Sequence, residues 1–225
     1  MKKYQVALIS MVLASLFVSC WVFAFALPKW FPFNSKNALR EWQEKIFSDR
    51  VLYTVEPKQE GGYLSAQSKE ACSGLVYKIK FHPSKNPMIS WRWMVKKFPQ
   101  KIKKSSKKSS WVEKDDYAAR VYVIFPSWNI LRIQSIEYIW DESLPIGKVM
   151  TSPYYKNLKL IVAESGTYNQ NKWVFEERNI CKDYEKAFGR RCKRKVGAIA
   201  LMTDSDNTLS TAEALYKDIK VGYKK

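Results

Sequence analysis

The 225 residues carry 39 Lys and Arg against 21 Asp and Glu, a net charge of +18, with a single histidine. One histidine and no C-x-x-C argue against a zinc centre and against Ser-His-Asp chemistry. The length suits one domain with a sizeable core, and no Gly/Ser-rich or Pro-rich linker divides it.

The chain opens with Lys2 and Lys3, an uncharged and mostly apolar run from Tyr4 to Pro28, and the small-residue pattern Ala24-Phe25-Ala26. A positive start, an apolar stretch and an A-x-A-like site form an export signal. At 25 residues the run also exceeds the roughly 20 that span a bilayer. Three readings stay open: a signal cleaved after Ala26, an uncleaved membrane anchor, and lipidation at Cys20. All three place residues 27–225 outside the cytoplasm, in the periplasm or cell envelope. The basic balance suits nucleic acid, anionic lipid or acidic polysaccharide, and export sets nucleic acid aside.

The spacing over 39–47 predicts one short helix. Strands then follow in succession. A short apolar run covers 51–55, and 63–66 follows the Gly61-Gly62 turn. Leu75, Tyr77, Ile79 and Phe81 alternate with Val76, Lys78 and Lys80 in the period of a half-buried strand. Over 88–95, Trp91, Trp93 and Val95 share one face and Arg92 and Met94 the other. Further strands are read over 118–125, 136–140, 158–163, 173–180, 196–202 and 217–223. A short helix over 183–188 is closed by Gly189, and another is suggested over 211–216. This succession predicts an antiparallel β-sandwich, jelly-roll-like, with one or two short helices, after an N-terminal apolar helix. Residues 96–110, with seven lysines and several serines, read as a long solvated loop, whose functional alternative is contact with an anionic surface.

Several segments together resemble a bacterial family catalogued as domain of unknown function 3047. They are Ser73-Gly74-Leu75, the run from Pro87 to Val95, the run from Asp115 to Val123, Tyr138-Ile139-Trp140, Arg178-Asn179 with Asp183-Tyr184 and Phe188-Gly189, and the run from Ala200 to Thr208. The resemblance implies a secreted or envelope-associated protein and supplies no catalytic residues.

The candidate chemistry is dispersed. Asp115, Asp116 and Arg120 form a polar cluster at a strand start. Neighbouring residues on a strand point to opposite faces, so the two acids do not readily meet one substrate, and Asp116 serves equally as a turn cap or as a partner of Arg120 or Arg92. Asp204, Asp206 and Asn207 offer oxygens at turn positions for a structural Ca²⁺, or simply make the turn. Cys181 and Cys192 are expected to form a disulfide, which an exported chain can keep; Cys72 reads as a small buried residue. Alternating Trp residues belong either to the core or to a sugar-stacking face. The latter reading gives a ligand site of Trp91, Arg92, Trp93, Asp116, Arg120 and Trp140. No G-x-S-x-G, P-loop, H-E-x-x-H or dinucleotide fingerprint is present. The expectation is a non-catalytic envelope module that binds glycan or another anionic surface polymer. The alternatives are a carboxylate-based glycoside hydrolase using Asp115 or Asp116, and a structural protein of the membrane surface.

Overall fold

The computed structural model describes residues 28–58, 61–83, 86–101 and 115–223. The readings of the N-terminal segment and of most of the lysine-rich loop fall on residues 1–27 and 102–114, outside the described residues. No helix among the described residues is long and apolar enough to cross a membrane.

The described chain is a β-sandwich. In order it forms β1 (Lys29–Phe31), β2 (Trp42–Ile46), β3 (Leu52–Glu56), β4 (Tyr63–Lys69), β5 (Cys72–Phe81), β6 (Pro87–Lys97), β7 (Arg120–Phe125), β8 (Gln134–Asp141), β9 (Val149–Thr151), β10 (Leu158–Ser165), β11 (Val174–Asn179), α1 (Ile180–Phe188), β12 (Val196–Asp204) and β13 (Thr211–Tyr223). One sheet has the order β11-β6-β13-β4-β3, with β1 also paired to β13. The other runs β2-β5-β12-β7-β8-β10-β9. The pairs are antiparallel except β8 with β10, which is parallel. The antiparallel sandwich read from the sequence therefore holds, with one parallel pair added.

Two predicted helices are strands. Residues 39–47 turn once and then enter β2, because Trp42 docks at Tyr77 of β5 and is buried. Residues 211–216 open β13: Ala212, Ala214 and Tyr216 alternate inward and are all buried. Packing on a sheet overrides the helical preference of alanine. The helix expected at 183–188 is present as α1. Asn179 accepts from Lys182 N–H at its start, and Gly189 closes it with φ 65°.

The core lies where the sheets meet. Trp91 and Trp93 point inward from β6, Tyr138 and Trp140 from β8. The Trp91 ring lies 5.2 Å from Tyr138 and the Trp93 ring 5.9 Å from Trp140. These four rings tie one sheet to the other. The period of two puts Arg92 on the opposite side of β6, facing out.

Gly62 fixes one crossing of the chain. A Cβ there would sit 1.8 Å from the carbonyl oxygen of Phe33 and 2.9 Å from that of Glu56. Only glycine lets these backbones approach.

Candidate functional site

The seven-stranded sheet has an apolar patch on its outer face. Val76, Ile124, Ala198 and Ala200 are buried there, with Tyr122 packed against them. They are the outward members of β5, β7 and β12, whose inward members fill the core. An open groove runs over Val76, Tyr122, Ile124 and Ala200 of this floor. Gly74 keeps it low beside Met202: an added Cβ would come 3.2 Å from the Leu201 carbonyl oxygen and 3.7 Å from Met202 Cβ.

One end of the groove is polar, and Arg120 organises it. Its Nε donates to Asp204 Oδ1 at 2.8 Å and its Nη2 to Asp204 Oδ2; Nη1 donates to Glu137 Oε1 at 2.7 Å. Nη2 also reaches the backbone carbonyl of Asp115, and the guanidinium lies 4.7 Å from the Tyr117 ring. The geometry follows from register, since Tyr122 is opposite Glu137 on one side and Ala200 on the other, with Met202 opposite Arg120. Arg120 and Glu137 are therefore neighbours on the outer face. Although burial pulls the other way, Asp204 and Glu137 hold the guanidinium well above its usual range.

Asp115 and Asp116, in the segment that leads into β7, follow different fates. Asp116 accepts from Asn207 N–H at 3.3 Å, Asn207 Nδ2 at 3.1 Å and Thr208 N–H at 2.7 Å. It is a cap for the turn after β12, one of the two roles read for it. Asp115 lines the groove, is 4% exposed, and among the described residues its Oδ1 has no hydrogen-bond partner. Burial, partly offset by Arg120, pushes its carboxyl up to about 7.

That shift gives a stability prediction. An acid raised in the folded state keeps its proton there after the unfolded chain has lost it. Its contribution is complete below about pH 4 and is lost as pH rises through about 7, a range worth about 4 kcal/mol. Asp115→Asn therefore flattens the fall in urea midpoint between pH 4 and 8 relative to the native chain. Burial and nearby Glu164 raise Glu176 to about 8, and this slope remains in both proteins. Superimposable pH profiles would refute this role of Asp115.

The sequence-predicted sites divide. Trp91, Trp93 and Trp140 are each 0% exposed, so they cannot stack on a ligand; that expectation is corrected by their packing between the sheets. Arg92 faces solvent on the other sheet, 3.5 Å from Asp218. Of the residues read as a ligand site, Arg120 lines the groove and Asp116 holds the turn beside it, while Asp204, Asp206 and Asn207, read for calcium, line it too.

The calcium set comes together in part. Asp204 and Asp206 are close, each with a carboxylate oxygen within 4.8 Å of the other and of Cys72 Sγ. But both Asp204 oxygens are engaged by Arg120, and Oδ1 also takes the Tyr117 N–H. The Asn207 amide oxygen accepts from Tyr154 Oη at 2.7 Å. These three residues do not offer Ca²⁺ its six to eight oxygens. Burial pushes the Cys72 thiol well up, so it stays a neutral wall of the groove.

Cys181 and Cys192 are free thiols set against one another, where the sequence pairs them in a disulfide. A hydrogen bond from Cys192 lowers the Cys181 thiol and raises its own.

Sequence reasoning missed Glu137 and Tyr154. A lone Glu in the apolar run of β8 was a usable sign, because an acid there needs a buried partner. Tyr154 lies in the connection from β9 to β10 and carried no signal.

No curated protein sequence matches the chain. Among solved structures it is similar to the family 11 carbohydrate-binding module of Lic26A-Cel5E from Clostridium thermocellum, at 12% identity over 89% of this chain and 97% of that one, with a TM-score of 0.48. It is similar to the family 30 carbohydrate-binding module of Cel9D-Cel44B from the same organism, at 7% identity over 82% and 92%, with a TM-score of 0.45. It is also similar to the glycoside hydrolase domain of Spr0440, Endo-D from Streptococcus pneumoniae R6, at 10% identity and a TM-score of 0.41; the match covers 80% of this chain and only 21% of that one. In sequence, a family model described as "Protein of unknown function (DUF3047)" matches residues 40–220, from the turn before β2 to near the end of β13, and the chain belongs to that family.

Proposed function

We propose that this protein is an exported, non-catalytic binding module that takes a glycan in the groove on the outer face of its seven-stranded sheet. One observation carries the reading: a buried carboxylate oxygen of Asp115, without a partner among the described residues, belongs to a residue lining an open groove whose floor is apolar. A polar atom left in this way costs free energy unless something supplies its hydrogen bond. A sugar offers hydroxyls for Asp115 and Asp206 and a C–H face for Val76, Ile124 and Ala200. Tyr122 and Tyr154 add rings with a polar edge at the groove wall. Near neutrality Asp115 both donates and accepts, which suits a hydroxyl. Export is part of the proposal and is supported by the lysine start and long uncharged run of the N-terminus.

A glycan array probed with the full-length chain tests this directly. Binding to a defined set of glycans is expected, and Asp206→Ala weakens it about tenfold, the cost of one lost hydrogen bond to a charged group. An array without signal, or a variant that binds like the native chain, rejects the groove as the glycan site.

A second reading is favoured by a specific feature: Asp115, with its raised pKa, and Asp206 share the groove, as acid and base do in glycoside hydrolysis. Reducing-end release from a bound glycan that disappears in Asp115→Asn would replace binding by hydrolysis.

A further inference from the structure

The outer face of the six-stranded sheet is made differently from the groove. Phe175 on β11 pairs with Arg92 on β6, and Arg92 pairs with Lys217 on β13, so one row crosses three strands. The Arg92 guanidinium lies 5.2 Å from the Phe175 ring and Lys217 Nζ lies 4.4 Å from the ring of Trp173. In the neighbouring row Trp30 on β1 pairs with Lys220 on β13, whose Nζ is 5.4 Å from the indole. A bulge with Asp218 at φ 54° separates the two rows on β13 and keeps both lysines on this face.

We propose that this face is a second binding surface, for an anionic polysaccharide, built from Trp30, Arg92, Trp173, Phe175, Lys217 and Lys220. It is independent of the groove and does not rest on the function proposed for it. Trp30 and Phe175 are 51% and 52% exposed, an unusual state for large rings. Among the described residues Lys217 and Lys220 form no ion pair, and Arg92 has only the long contact with Asp218. Glu177 stands at the far end of the second row, opposite Ser90. The cations are therefore available, and the whole chain is strongly basic.

The chemistry of the ligand follows from the interleaving. Each ring offers a flat apolar platform for the C–H face of a sugar, and each cation beside it offers a partner for a carboxylate on that sugar. Trp30 and Phe175 lie on strands, held in rows by backbone pairing, and Trp173 stands just before β11, an arrangement that suits a linear, repeating chain. A lipid surface would favour rings protruding from loops.

Tryptophan emission of the full-length chain, titrated with oligomannuronate, reads this surface through Trp30 and Trp173. A neutral cello-oligosaccharide of equal length and oligo-dT of equal charge serve as comparisons. Oligomannuronate is expected to bind best and to lose about tenfold in affinity between roughly 0.05 and 0.5 M salt. Trp30→Ala with Phe175→Ala should lose at least about tenfold, and Lys217→Gln with Lys220→Gln should lose both affinity and most of the salt dependence. Both pairs are surface changes, and an unaltered urea midpoint establishes that each variant is folded. Should the ring pair fail to fold, the exposed single change Lys220→Gln carries the test through its salt slope. Equal binding of the neutral oligosaccharide, tighter binding of oligo-dT, or native-like binding by the variants overturns the proposal.

Discussion

Arg120→Met lowers the stability of this protein by about 3–5 kcal/mol, because it leaves two buried carboxylates with no cation. Glu137 is 0% exposed and Asp204 is 2% exposed, and Arg120 is the guanidinium that both accept from. In a domain of this size each kcal/mol moves the melting temperature by about 2–4 °C, so the midpoint falls by on the order of 10 °C. The penalty depends on pH in a defined sense. Without the guanidinium, ionised Glu137 and Asp204 are penalised by burial, and protonation relieves them. The gap between variant and native protein is therefore smaller near pH 4 than at pH 8. Urea melts at both values check this. A loss below about 1 kcal/mol at pH 8 would show that Arg120 is not the keystone of the polar end of the groove.

Trp93→Ala costs a similar amount, about 3–5 kcal/mol, for an apolar reason: the indole is fully buried between the sheets and its removal leaves a cavity. It contacts Trp91 at 5.2 Å and Trp140 at 5.9 Å, so the seam between β6 and β8 loosens with it. Phe175→Ala, half exposed on the neighbouring strand, should change stability by no more than about 0.5 kcal/mol. The contrast separates core from surface on adjacent strands. Trp93→Ala as stable as Phe175→Ala would mean that the rings do not pack the sheets together. Any loss of ligand binding by Trp93→Ala at 37 °C reports unfolding and should track the melting curve.

Most of the strands were legible because alternation is a local property. β5, β6, β7, β8 and β12 were readable within a few residues, and α1 was marked by its closing Gly189. The misses at 39–47 and 211–216 share one cause. Trp42, Ala212 and Ala214 are compatible with a helix taken alone, and only neighbouring strands β5, β4 and β6 offered them a better partner.

The site shows the same division more sharply. The sequence determined that Trp91 and Trp93 share a face opposite Arg92 and that a turn follows the apolar run ending near Asp204; Asp115 and Asp116 precede β7, so strand alternation does not explain their separate roles. Period two says which residues go together; it does not say which side is the core. Packing decided that. The tryptophans went inward because burying two indoles against Tyr138 and Trp140 removes more apolar surface from water than burying Met94 and the stem of Arg92 could. The groove was likewise invisible in one dimension, since Asp115, Glu137 and Asp204 come from three separate segments. Only the register of β7 between β8 and β12 brings them around Arg120.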